Sequence, residues 1–143
     1  MPKRTRRELD WEDVRELLIA LPGVEYQPPG PGVFRNGVIR ANKRLLAYPV
    51  RGRVQEEAGE LVWLRTGQME KAALLHEDPA TFFVTPHFST SPGVIVRLWR
   101  VDEQHLRELI RDAWYGVASK RMRAELEQGQ ELEHGQELEQ GQE

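Results

Sequence analysis

Val14, Leu17, Leu18 and Leu21 recur at helical spacing behind Asp10, with Glu12 and Asp13 in the opening turn and Pro22-Gly23 closing the run. An amphipathic first helix is predicted, because an Asp side chain accepts from the free N–H groups of a first turn and acidic residues suit its positive end. The proline- and glycine-rich stretch Gln27-Pro28-Pro29-Gly30-Pro31-Gly32 can be neither helix nor central strand. Beyond it, Val33-Phe34-Arg35 and Val38-Ile39-Arg40 flank Asn36-Gly37, two residues that tolerate positive φ, so a hairpin is predicted there. Strands are expected over 45–49 and 61–66, separated by a charged, glycine-containing loop over 51–59.

Apolar spacing next predicts a helix over 68–76, with Met69, Ala72, Ala73 and Leu75 available for burial and Asp78-Pro79 as its stop. Two more strands, 82–85 and 94–101, are joined by a long turn over 86–93. A last helix starts at an Asp102 cap, places Leu106, Leu109, Ile110, Ala113 and Val117 on one face, and pairs Glu103 with Arg107. Short connections join most strands, which makes the sheet antiparallel. The expected fold is α+β and two-layered: about five antiparallel strands with three helices packed on one face, in the order α-β(3)-α-β(2)-α.

Composition sets the limits of this picture. The 143 residues, 39% hydrophobic and 30% charged, suit one domain over 1–124 followed by a tail over 125–143. The tail repeats Glu-Leu-Glu-Gln-Gly-Gln with a period of six, which sets Leu126, Leu132 and Leu138 on different sides of a helix, so a solvated, largely disordered acidic tail is predicted. It holds seven Glu and no Lys or Arg, leaving the body with 20 basic against 16 acidic residues. No run of about 18 apolar residues occurs and Met1-Pro2-Lys3-Arg4 leads into charged sequence, so neither a membrane span nor a secretory signal is expected and the cytoplasm is the expected location. Absence of cysteine excludes disulfides, thiolate nucleophiles and Cys-ligated metals.

Candidate chemistry lies on one sheet face and in the loops. With Val62/Leu64 and Val94/Val96/Leu98 as core sets, the alternate positions Trp63, Arg65, Ile95, Arg97 and Trp99 fall on the other face, with Arg35 as a further member. Arginines between indole rings suit nucleic acid, since guanidinium binds phosphate and indole stacks on bases. Cross-strand Arg-Trp pairs that shield the sheet are the plainer alternative. Arg40, Lys43 and Arg44 near the first hairpin, with Arg51 and Arg53 around Gly52, are a second basic group, followed at once by Glu56, Glu57 and Glu60. His87 sits in a turn, where it can meet a ligand or fix the turn. His105, Glu108 and Asp112 share a helical stripe that reads as a solvated edge, and no metal or cofactor is expected. Walker, Gly-x-Gly-x-x-Gly and nucleophile-elbow patterns are absent, and no nucleophile, base and orienter assemble, so an enzyme is not expected.

Asp10-Trp11-Glu12-Asp13-Val14, Leu21-Pro22-Gly23-Val24, Asp78-Pro79, Phe82-Phe83-Val84-Thr85-Pro86-His87-Phe88 and the segment 102–121 resemble the MmcQ/YjbR family of small bacterial proteins over about residues 9–122. The resemblance implies a fold similar to secretion chaperones and to CyaY, and a "double-wing" DNA-binding role; it implies no enzyme activity. The expectation is a DNA-binding module that contacts phosphate backbone with low sequence specificity, as monomer or weak homodimer, with the acidic tail as an internal competitor. A protein-interaction or small-ligand module using the open sheet face is the alternative.

Overall fold

The computed structural model describes residues 8–51 and 59–141, the last eleven of these in backbone only; Arg53, Glu56 and Glu57 lie outside the described residues. Helix α1 (Trp11–Ile19) opens on the expected cap in its reciprocal form: Asp13 N–H donates to Asp10 Oδ1 at 3.1 Å and Asp10 N–H to Asp13 Oδ2 at 2.8 Å. Glu60 also accepts from Trp11 N–H at 2.6 Å, docking the start of the helix on the segment before a central strand. Asp10→Ala is expected to cost about 1 kcal/mol, read as a lower urea midpoint at unchanged slope.

Among the described residues six antiparallel strands follow: β1 (Val24–Gln27), β2 (Val38–Ala41), β3 (Arg44–Val50), β4 (Leu61–Arg65), β5 (Phe82–Phe83) and β6 (Gly93–Arg97). They lie in the order β1-β2-β3-β4-β6-β5. The partner of β2 is β1, with Val24 opposite Ala41 and Gln27 opposite Val38, rather than the expected 33–35 segment. Asn36-Gly37 does turn, with Gly37 at φ 98° and its N–H on Phe34 O at 3.1 Å, but it closes a turn begun at Phe34 inside the β1–β2 connection. The two-residue hairpin lies instead between β2 and β3, where Asn42 and Lys43 both take positive φ. Asn42 Nδ2 donates to Val117 O at 2.9 Å and so ties this hairpin to the end of a helix across the sheet.

Helix α2 (Gln68–Glu77) sits between β4 and β5, and α3 (Glu103–Val117) follows β6 from the Asp102 cap, which accepts from His105 N–H. The main core lies between the sheet and the helices: Val62, Leu64, Val94, Val96 and Leu98 face Val14, Leu18, Leu106, Ile110 and Trp114. This is the two-layer α+β arrangement, with the predicted core register in β4 and β6. On α2 the buried positions are Lys71 and Leu74, whereas Met69, expected inside, is 90% exposed. The strand predicted over 94–101 stops at Arg97, after which residues 98–100 turn toward α3.

A fourth helix, α4 (Lys120–Gly141), runs from the end of the body into the six-residue repeat. Glu, Leu and Gln are good helix formers, and an Arg121–Glu125 pair at 3.6 Å spans one turn. Its root is fastened to the helical layer: Met122 and Leu126 pack against the main core, and Met122 lies over Gly23.

Candidate ligand-binding cleft

The sheet face away from the helices carries the alternate positions, as the register requires, but its centre is covered. Residues 86–88 form a single 3-10 turn that lays Phe88 against this face, and Val50, Leu61, Trp63, Phe88 and Ile95 bury one another in a second, smaller core. Trp63, expected as an exposed stacking platform, is 2% exposed; its Nε1–H donates to Ser91 Oγ at 3.0 Å and its ring stacks on Tyr48 with centroids 5.1 Å apart. Trp99 is half-buried at the edge of the same cluster, its ring over Gly59. Trp63 presents no bare face of the kind base stacking requires. The apolar cluster needed a cover, and the proline-initiated turn supplied it from a segment well beyond β4 in sequence.

The arginines of this face are likewise engaged. Arg65 donates to Leu45 O at 3.1 Å, and burial, then the neighbouring Arg44, push its guanidinium down from its ordinary value. Arg97 lies over the Phe83 ring at 4.0 Å and donates to Pro79 O and Ala80 O. Arg40 lies over Phe34 at 5.2 Å and donates to Gln27 Oε1 at 3.1 Å. Lys43 and Arg44 are exposed at the β2–β3 hairpin. Seven residues of strand put that hairpin about 20 Å from the far end of β3, so these two cations form a group apart.

At that far end a cleft of about 590 Å³ opens between the 33–37 turn, the end of β3 and the 3-10 turn. It joins three of the expected residues that lie far apart in sequence, Arg35, Arg51 and His87, with Phe34, Tyr48 and Phe88 as its apolar wall. Tyr48 is the link to the second core, held between Trp63 and the tilted Phe34 ring, whose centroid is 5.2 Å away. Arg35 has no ion-pair partner among the described residues, while Arg51 makes a solvent-exposed pair with Glu60 at 3.6 Å. An anionic group entering here meets two guanidinium groups and an imidazole beside aromatic side chains, and its hydrogen bonds to the guanidinium groups are charge-assisted.

The sequence pointed to Arg35, Arg51 and His87 without bringing them together, and passed over Phe34, Tyr48, Phe88 and Lys71. The signal for Lys71 is its position three residues before Leu74, on the apolar stripe of α2. His105 packs edge-on against Phe82 at 5.6 Å, and among the described residues no three His, Cys, Asp or Glu side chains gather as metal ligands. No helix among the described residues is long and apolar enough to cross a membrane.

Comparison with known proteins finds bacterial relatives of the chain. An uncharacterized protein of Mycobacterium bovis and two uncharacterized proteins of Mycobacterium tuberculosis strains are each 32% identical over 124 residues, covering 78% of this chain and 91% of theirs. No family model matches the chain. No solved structure matches it either.

Proposed function

From the premise that the chain belongs to one family with these uncharacterized mycobacterial proteins, we propose that it is a cytoplasmic, non-catalytic binding module whose cleft takes a phosphate-bearing ligand. The backbone of a nucleic acid is the first ligand class, in keeping with the resemblance to the MmcQ/YjbR family. The observation that carries the reading is the convergence of Arg35, Arg51 and His87 on one cleft. Phosphate suits this set because guanidinium groups meet its oxygens in bidentate fashion. The burial of the Trp63 indole argues against base stacking there, and contact through phosphate implies low sequence specificity.

The cleft's size favours a second reading, since about 590 Å³ also fits a small phosphorylated molecule. Anisotropy of labelled duplex and single-stranded DNA, at low and at about 150 mM salt, with pyrophosphate as competitor, separates the two. Binding that falls with salt and weakens about tenfold for each of Arg35→Ala and Arg51→Ala supports a nucleic-acid backbone. Pyrophosphate binding without DNA binding selects the small ligand. A protein that binds neither at low salt overturns the proposal.

The acidic tail enters this picture differently from the expected internal competitor. The root of α4 is fastened to the helical layer, on the side of the sheet away from the cleft. Truncation after Arg123 is therefore expected to change DNA affinity less than twofold, on the order of 0.4 kcal/mol, when the two lengths are titrated side by side. A large gain in affinity would restore the competitor.

A further inference from the structure

Lys71 is 5% exposed and meets no carboxylate among the described residues; its ammonium group donates to three main-chain carbonyls, Phe88 O at 3.1 Å, Ser89 O at 2.9 Å and Ser91 O at 2.5 Å. Three carbonyl dipoles that converge on one point repel one another unless a cation stands there, and an ammonium group with three donors satisfies them together. The same turn is tied from its other side. Ser91 Oγ bonds Phe88 O at 2.9 Å while it receives Trp63 Nε1–H, and Phe88 sits in the second core. His87, the residue before Phe88, is thereby left on the outside of the turn, where it lines the cleft.

We infer that Lys71 is the positioning residue of the cleft's His87 wall, its ammonium group acting as a built-in cation around which residues 88–91 are wound. Burial pushes this ammonium down from its ordinary value, and three carbonyl acceptors favour the charged form. An apolar side chain of equal length fills the space but leaves Ser89 O and Ser91 O without this donor, while Phe88 O keeps only the bonds from Ser91 N–H and Oγ–H. The turn then relaxes, and with it the placement of His87. The inference extends the cleft reading, and only its binding arm rests on that reading.

Amide hydrogen exchange on the full chain tests it, because Phe88 N–H bonds Thr85 O at 2.9 Å and Ser91 N–H bonds Phe88 O at 3.1 Å, two bonds internal to the turn. In Lys71→Met, protection at Phe88 and Ser91 is expected to fall by about tenfold or more while Val62 and Val96, in mid-sheet, change by less than about twofold. Pyrophosphate affinity, followed on the His87 ring signals, is expected to weaken by about tenfold. In Lys71→Ala, added propylammonium should restore both readings and tetramethylammonium, which has no N–H, should restore neither. Unchanged protection at Phe88 and Ser91 in a folded Lys71→Met protein overturns the inference, as does a uniform fall across all amides. Should Lys71→Met fail to fold, Lys71→Ala with propylammonium decides: recovery of the protected turn supports the role and no recovery overturns it. A wild-type protein that ignores pyrophosphate sinks the cleft reading, while the exchange arm still decides the role of Lys71.

Discussion

Trp63→Ala is expected to destabilise the protein by about 3–5 kcal/mol, enough to remove much of the stability of a domain this size. The side chain is fully enclosed, stacked on Tyr48, packed among Val50, Leu61, Phe88 and Ile95, and hydrogen-bonded through Nε1 to Ser91. Its removal opens a cavity in a small cluster that has few other side chains to collapse into it. It also leaves the Ser91 hydroxyl without its donor. An exposed stacking platform behaves in the opposite way: its loss abolishes ligand binding and leaves stability within about 0.5 kcal/mol. Urea denaturation of the two proteins, with affinity measured on whatever remains folded, separates these outcomes. A variant as stable as the wild type would show that Trp63 does not hold the second core together.

Gly93→Ala has the next largest expected effect, about 3 kcal/mol. A Cβ at this position falls 2.4 Å from Leu64 O and 2.7 Å from the Trp63 ring. The ring can give way only by disturbing its stack on Tyr48, and the carbonyl belongs to the backbone of β4, where Arg65 stands opposite Gly93 in register. The close approach therefore requires glycine for want of space, without any demand on φ. The expected result is a lower thermal midpoint together with a change in the near-ultraviolet circular dichroism of the Trp63–Tyr48 pair. Retention of both at wild-type values would mean that β6 can move away from β4 at little cost.

These two residues show where pattern reading succeeds and where it stops. Period-two alternation put Val62 and Leu64 on one face and Trp63 on the other, which is how β4 lies. Alternation does not say whether the second face meets water. That depended on the 3-10 turn over Pro86–Phe88 folding back on the sheet, and on Lys71 gathering its carbonyls, both of them contacts between segments distant in sequence. The hairpin failed for a related reason. Asn36-Gly37 satisfies the turn chemistry, but Val24–Gln27 offers β2 a partner with Val24 and Tyr26 facing the main core, and local propensity cannot choose between two partners. Arg35, Arg51 and His87 were each legible as cations or ligands in loops, whereas their common cleft depends on where three connections end in space.

The sequence by itself determined helices α1, α2 and α3, the strands β2 to β6 in outline, the caps at Asp10 and Asp102, the core sets of β4, β6 and α3, and the antiparallel two-layer class. Each of these depends on residues within a few positions of one another, where periodicity, capping chemistry and short connections are decisive. Tertiary structure alone decided the pairing of β1 with β2, the second core around Trp63, the burial of Lys71 and the assembly of the cleft. These rest on burying apolar area and satisfying polar groups across long separations, and only the folded chain settles which surfaces meet.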